Sequence, residues 1–336
     1  MKICICGGGS LGHVCAGVMA SQQGVELNIL SGHPADWQKH IIVTDPNGKQ
    51  FEAHINTVSN LPAEVAANQD IILLCLPGYL IEKTLHAIKP YIGHAAVGTV
   101  VSSTGFFFFA HDILGKDARL FGFQRVPFIS RVVEYGTSAA LLGYKPTLAV
   151  VLENIDNPEL FRKDLERLFI TPVTLLHSFY EVALSNSNPI LHTGRLYSMF
   201  HGREDEVFDH NILFYKEWTD QASQLLIDMD AEFFQLLDKL GVHTLPTLLE
   251  YYESTDAASL TRKIQSIPAF QTITSPMIQV PGGWIPDFSS RYFSEDFPFG
   301  LHFIHSLAQR EGIPTPHIHL VYEWGTQILN HRNIPS

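Results

Sequence analysis

Hydrophobic and polar positions follow one rhythm in the first half of the chain and another in the second. Up to about residue 180, short apolar runs at 2–6, 25–30, 71–76, 97–101 and 147–152 alternate with stretches of helical spacing at 11–22 and 158–169. That alternation predicts a mostly parallel, doubly wound α/β domain. Beyond residue 180 the period changes. Ala222, Leu225, Leu226, Met229, Phe233, Leu236, Leu237 and Leu240 fall three and four apart, which predicts one buried face of a long helix running from Trp218 to a stop at Gly241. Further helices are expected at 245–252, 259–266, 300–309 and 317–329. The predicted organisation is a doubly wound domain over 1–180 and an all-helical domain over 181–336.

Composition agrees with two folded domains and adds a charge asymmetry. The 336 residues are 46% hydrophobic and 17% charged, which excludes disorder over most of the chain. The net charge of −12 divides into −2 for residues 1–180 and −10 for 181–336. Neither half carries the basic surface that phosphate neutralisation demands, so nucleic acid is excluded as a partner. Met1 leads straight into a strand pattern without a signal peptide, and the four cysteines, Cys4, Cys6, Cys15 and Cys75, lie in the first quarter. A reduced, cytoplasmic protein is expected, with Cys4 and Cys6 on one side of a buried strand. The longest apolar run, near 71–81, is interrupted by Pro77 and Gly78, so no membrane span is expected. The run Phe106–Phe109 is read as core or as a contact in a homodimer. His302-x-x-His305 and His317-x-His319 lack acidic or cysteine companions at ligand spacing, and no metal is expected there.

The first chemical signal is Gly7-Gly8-Gly9-Ser10-Leu11-Gly12, which follows the first predicted strand and opens the first helix. In Gly-x-Gly-x-x-Gly the first glycine permits the turn, the second lets the backbone approach a pyrophosphate, and the third lets helix and strand pack closely. The N–H groups of the helix start then face the phosphates. This predicts a Rossmann-type dinucleotide site contacted by Gly7, Gly9, Ser10, Leu11 and Gly12. No carboxylate ends the second strand, which reads Leu30-Ser31-Gly32-His33, with Glu26 too early and Asp36 too late. A charge that would repel a 2′-phosphate is thus missing, and Ser31, His33 and Lys39 can contact one, so NADP is expected ahead of NAD. Cys75-Leu76-Pro77-Gly78 ends a later strand at the same sheet edge and adds Leu76 and Pro77 on the nicotinamide side.

Two stretches stand out in the helical half. In Ser185-Asn186-Ser187-Asn188-Pro189-Ile190-Leu191-His192, Asn188 suits a helix cap and Pro189 the first helical position, which sets His192 near a helix start. Arg291-Tyr292-Phe293-Ser294-Glu295-Asp296-Phe297-Pro298-Phe299-Gly300-Leu301 packs a cation and two carboxylates between aromatic residues.

With the glycine motif, Asn188-x-x-x-His192 and Arg291-Tyr-x-x-Glu-Asp-x-Pro-x-Gly-Leu301, the sequence resembles the opine dehydrogenases, the octopine/nopaline dehydrogenase family, over roughly residues 1–330. The resemblance implies NADH- or NADPH-dependent reduction of the imine formed between a 2-oxo acid and an amino acid. It implies His192 and Asp296 as the catalytic pair and Arg291 as the holder of the oxo acid's carboxylate. Asn188 is read as a helix cap and as a contact for substrate or cofactor. The residue chemistry agrees: imidazole is the side chain suited to moving protons near neutrality, a carboxylate beside it fixes its tautomer, and a guanidinium forks onto a carboxylate. Glu295 is expected to be a structural partner of Arg291, and Asp287 to be structural. The chain departs from the family at Thr193, where many members have Pro. Gln124, Arg125, Arg131 and Glu134 are expected near an interdomain cleft, as substrate contacts or as salt bridges. Two other functions stay open: a simple 2-oxo acid reductase of the ketopantoate reductase type, whose catalytic Lys has no counterpart at a comparable motif in 181–300, and a non-catalytic dinucleotide-binding sensor.

Overall fold

The structure, a computed structural model, describes residues 1–331, which form two compact units, Met1–Ser185 and a second that begins at Asn186. The strands of the first unit are β1 (Lys2–Cys6), β2 (Glu26–Leu30), β3 (His40–Thr44), β4 (Gln50–His54), β5 (Thr57–Ser59), β6 (Ile71–Leu74), β7 (Ala96–Thr99), β8 (Leu120–Phe123), β9 (Phe128–Glu134), β10 (Ser138–Tyr144), β11 (Leu148–Glu153) and β12 (Val173–Leu175). Its helices are α1 (Ser10–Ala20), α2 (Pro62–Val65), α3 (Gly78–Ile88), α4 (Phe106–Leu114), α5 (Pro158–Phe169) and α6 (Phe179–Ala183).

Eight strands form the main sheet in the order β12-β11-β8-β7-β6-β1-β2-β5, all neighbours parallel except β11 against β8. Period-two alternation along β1 sorts its side chains between two cores. Ile3 and Ile5 pack on the α1 side with Val14 and Val18. Cys4 and Cys6 pack together on the other, with Ile81 and Leu85 of α3 and Phe106 and Phe107 of α4. All four cysteines are buried and none forms a disulfide; a hydrogen bond with Cys4, then burial, pushes the Cys6 thiol well above its ordinary range, as a core side chain. Phe106 and Phe107 are fully buried in this core, and Phe108 and Phe109 are half-buried.

A second, four-stranded sheet, in the order β4-β3-β10-β9, has no counterpart in the sequence reading, which places no strand between residues 30 and 71. Its inward positions, Ile41, Val43, Phe51, Ala53, Ala139 and Leu141, join the same core as α1. The first helix is thereby enclosed between two sheets.

The first unit extends past residue 180 because α6 belongs to it. Val182 is buried in the α3–α4 core, Gln124 Nε2 donates to the Glu181 carbonyl at 3.1 Å, and Arg125 donates to the Ser185 carbonyl at 2.8 Å. These bonds show structural roles for Gln124 and Arg125.

The second unit holds α7 (Asn188–Phe200), α8 (Asp220–Lys239), α9 (Leu248–Tyr251), α10 (Ala257–Ser266), α11 (Arg291–Ser294), α12 (His302–Glu311) and α13 (Pro316–His331). The helix read from its period at 218–241 is α8, capped by Thr219, whose hydroxyl accepts from Ala222 N–H at 3.2 Å, and followed by Gly241 at φ 72°. Buried Glu232 on α8 accepts from the backbone N–H of His317 and Ile318, an anion at the start of α13. A hairpin, β13 (Met277–Val280) with β14 (Gly283–Pro286), interrupts the helices. Asp287, just after it, accepts from Ser289 N–H and Oγ and stabilises the turn. No helix among the described residues is long and apolar enough to cross a membrane.

Candidate active site

The glycine motif links β1 to α1 as expected. Helix α1 starts at Ser10, with Gly9 before it and no side chain capping it. A Cβ on Gly12 would lie 2.0 Å from the Gly7 carbonyl oxygen, so only glycine lets the helix approach the loop this closely. A Cβ on Gly9 would meet nothing within 4 Å, so its surface is open to a ligand. The Gly7 Cβ direction points at Cys75 and Leu76, which brings the second predicted cofactor segment against the first. Pro77 then stands at the head of α3. An uncapped helix start beside an open backbone surface fits the pyrophosphate of a dinucleotide.

Ser31 and His33 follow β2 at the same sheet edge. Ser31 is buried, its N–H donates to the Ser59 carbonyl at 3.0 Å, and its Oγ accepts from His33 N–H at 3.2 Å. Asp36 closes the short turn Pro34–Asp36. A residue the sequence reading gave no part in the site, His13, is fully buried directly after the motif. Its Nε2 receives Gly136 N–H at 2.8 Å, so Nδ1 carries the proton and donates to the Gly9 carbonyl at 3.0 Å. Burial lowers its pKa from 6.5 despite backbone bonds that raise it, and the ring is held neutral.

In the second unit, His192 and Asp296 come together from the two motifs. His192 Nδ1 lies 2.9 Å from Asp296 Oδ2, with side chains 13% and 18% exposed. Helix α7 starts at Asn188, one residue before the sequence reading puts it, and Asn188 N–H donates to Asn186 Oδ1 at 3.2 Å. Asn188 thus lies in the first turn, and the side-chain acceptor at this helix start is Asn186. Thr193 sits in continuous helix, its hydroxyl donating to the Pro189 carbonyl.

The turn after Asp296 aims its carboxylate. Phe297–Leu301 is a π-helical turn, closed by Leu301 N–H donating to the Asp296 carbonyl at 2.8 Å. Pro298 has no N–H to continue an α-helical ladder from α11. Gly300 seats the turn on α7: a Cβ there would lie 2.5 Å from Pro189 Cγ. The glycine of the second motif and the proline of the first are therefore the contact that places the carboxylate against the imidazole.

Three residues without a role in the sequence reading complete this site. Tyr215 is buried, and its hydroxyl lies 3.1 Å from His192 Nε2. Burial, with Tyr292, Tyr252 and Asp296 nearby, pushes the Tyr215 phenol above its ordinary range, so it stays a neutral hydroxyl. The Tyr292 ring packs on the His192 ring at 4.7 Å, and burial, then Asp296, raises that phenol too. Arg195, 2% exposed and one helical turn beyond His192, donates Nε to the Phe214 carbonyl at 3.0 Å and an Nη to the Glu217 carbonyl at 2.8 Å. Its guanidinium stacks over Trp218 at 5.1 Å, and burial lowers its pKa to about 10. It fixes the segment that presents Tyr215. An arginine on the apolar face of α7 was the available signal; nothing around Tyr215 has motif spacing.

Arg291 stands apart from the His192 ring in the described bonding. It makes a bidentate ion pair with Glu295, 2.9 Å at both Nε and Nη2, and is 82% exposed. The histidines flagged near the chain end pair with neighbours: His305 Nε2 with His319 Nδ1 at 3.0 Å, His302 with Tyr322, and His317 with Glu232. No group of three His, Cys, Asp or Glu side chains among the described residues is placed to hold a metal ion.

The comparisons with known proteins agree with both halves of this description. Residues 175–329 match the family model described as NAD/NADP octopine/nopaline dehydrogenase, alpha-helical domain. Tauropine dehydrogenase of Arabella iricolor and octopine dehydrogenase of Mizuhopecten yessoensis are each 26% identical, covering 97% of this chain and 90% of theirs. A solved octopine dehydrogenase, determined with NADH and L-arginine, superimposes with a TM-score of 0.83 at 24% identity, covering 98% of this chain and 90% of that one. Residues 175–329 are thus similar to the helical domain of the octopine/nopaline dehydrogenase family, and relatives bearing that family's names align along nearly all of the chain.

Proposed function

We propose that this protein is an NAD(P)H-dependent opine-type dehydrogenase that condenses a 2-oxo acid with an amino acid. The observation that carries this reading is the His192–Asp296 pair. In the reaction, the amine adds to the oxo carbon, water leaves to give an imine, and a hydride and a proton convert the C=N bond to a secondary amine. A bound nicotinamide supplies the hydride. The protein has to remove a proton from the incoming ammonium group, deliver protons during dehydration and reduction, and hold the reactants in register.

His192 is the group suited to move those protons. With Asp296 on Nδ1, the working nitrogen is Nε2, and the carboxylate supports the ring when it becomes cationic. Tyr215 serves either form: its hydroxyl donates to a neutral Nε2 and accepts from a protonated one. Arg291 is the cation for the oxo acid's carboxylate, and binding there exchanges the Glu295 carboxylate for that of the substrate. Asn188, in the first turn of α7, is the polar group assigned to substrate. In the first unit, residues 1–185, Gly7, Gly9, Ser10, Leu11, Gly12, Leu76 and Pro77 hold the dinucleotide, with Ser31 and His33 at its adenosine end. The absence of a carboxylate after β2 favours NADP(H) over NAD(H). Four reduced, buried cysteines suit the cytoplasm.

The test follows oxidation of NADPH and NADH by nicotinamide absorbance with pyruvate or another 2-oxo acid, with and without a panel of amino acids. Turnover is expected only when both organic partners are present, and faster with NADPH. Turnover without an amine would make the protein a simple 2-oxo acid reductase. No turnover with any pairing would make it a binding protein.

A further inference from the structure

The second sheet reaches the glycine motif through the hairpin between β9 and β10, which makes three contacts there. Val132 N–H on the edge of β9 donates to Ser10 Oγ at 3.1 Å. Gly136 N–H donates to His13, which in turn holds the Gly9 carbonyl. Between them, Tyr135 places its hydroxyl 3.3 Å from Ser31 Oγ and so close to the loop that a Cβ on Gly8 would lie 2.4 Å from it.

The Tyr135 ring is held in that position. It packs edge-on against His13 at 5.0 Å, Trp37 at 5.9 Å and His33 at 6.2 Å, while His13 stacks on Trp37. Tyr135 as a residue is 36% exposed, so it is open to a ligand at the loop. Trp37 Nε1, buried in the same cluster, has no hydrogen-bond partner among the described residues. The cluster stands where β2 ends, the position from which a carboxylate reaches the adenosine ribose in many dinucleotide folds. Here it holds two neutral hydroxyls.

We propose that Tyr135 is a specificity-determining residue of the cofactor site, whose hydroxyl, paired with that of Ser31, meets the 2′-substituent of the adenosine ribose and favours a 2′-phosphate. The inference rests on the reading of the glycine motif as a nicotinamide dinucleotide site. The chemistry separates the two cofactors. Hydroxyl donors bond a phosphate oxygen as a charge-assisted pair, stronger than the neutral bond they make to a ribose hydroxyl. A carboxylate in their place would repel the phosphate. His13 is the positioning residue, because its two backbone bonds fix the hairpin that carries Tyr135 to the loop.

The experiment titrates NADPH, NADH and the isolated adenosine end, 2′,5′-ADP against 5′-AMP, into the wild-type protein and into Tyr135→Phe by calorimetry. Tyr135→Phe keeps the ring and its packing, and its melting temperature without ligand verifies folding. NADPH and 2′,5′-ADP are expected to bind about tenfold or more weaker to the variant, and NADH and 5′-AMP less than about fivefold weaker. Gly8→Ala, which displaces the hydroxyl without removing it, is expected to give the same selective loss. Unchanged affinities in Tyr135→Phe, or equal losses for the phosphorylated and unphosphorylated ligands, would overturn the assignment. Wild-type protein that binds neither dinucleotide would instead overturn the reading of the motif, and this inference with it.

Discussion

His13 and His192 occupy similar local positions, each near the start of a helix and each with both ring nitrogens hydrogen-bonded. Their partners differ. His13 lies between a backbone carbonyl and a backbone N–H, which between them accept only the neutral ring with its proton on Nδ1. His192 lies between a carboxylate and a phenol, which accommodate the ring with or without a second proton. The same contrast runs through the two units: the proposed dinucleotide site is built from backbone and hydroxyl groups, the proposed proton-transfer site from titratable side chains. Burial and helix position do not tell a structural imidazole from a working one; the chemistry of its two partners does.

The strongest way to break this comparison is to remove the ring proposed to move protons. His192→Ala is expected to lower kcat by about 10²–10⁴-fold while leaving dinucleotide affinity within about twofold, with Asp296→Asn showing the same pattern. A near-wild-type rate in both variants would place proton transfer elsewhere. Next in size is Gly12→Ala in the backbone-built site. The added methyl meets the Gly7 carbonyl, so the loop must open, and a loss of about 1–3 kcal/mol in stability is expected from thermal unfolding, along with weaker dinucleotide binding. Unchanged binding and melting would show that the close approach of helix and loop has no consequence.

The smallest effect is a difference in pH dependence. His13 has its folded pKa below 6.5, so the unfolded chain takes up the proton first. Its contribution to stability is present above that value and is lost as pH falls toward the folded pKa. In the second unit His302 and His305 shift downward by burial and act in the same direction. His210, raised by Glu217 and Asp209, acts against them, as does Asp230, raised to about 6 by burial, whose proton the folded state binds first. Hydrogen exchange, corrected for intrinsic rates, is expected to show β1 and α1 losing protection between about pH 7.5 and 5.5 more steeply than α7 and α8. Equal slopes would mean that the neutral His13 ring does not support the first unit.

How much could be read from the sequence depends on how local each feature is. The β1–loop–α1 unit was legible because its turn, its close approach and its helix start fall within a few residues of one another. The long helix α8 was legible from period alone. His192 and Asp296 were placed by motif resemblance, since nothing in their separate stretches says that Gly300 will touch Pro189. The second sheet escaped because its central pairing sets Ile42 against Ser138, a contact between distant segments that a local pattern does not contain. Tyr135 and Tyr215 escaped for the same reason: each is placed against a partner, Ser31 or His192, that lies outside its own stretch of the chain.

The π-helical turn at Phe297–Leu301 carries one residue more than an α-helical turn over the same rise. Each residue of an α-helix advances the backbone by about 100° around its axis. Trimming the surplus residue to restore a regular ladder would therefore rotate everything ahead of it by about a quarter of a circle and swing Asp296 away from the imidazole. The wider winding acts as a spacer: the bond from Leu301 N–H to the Asp296 carbonyl spans five residues in place of four, and the bearing of a single carboxylate is set by it.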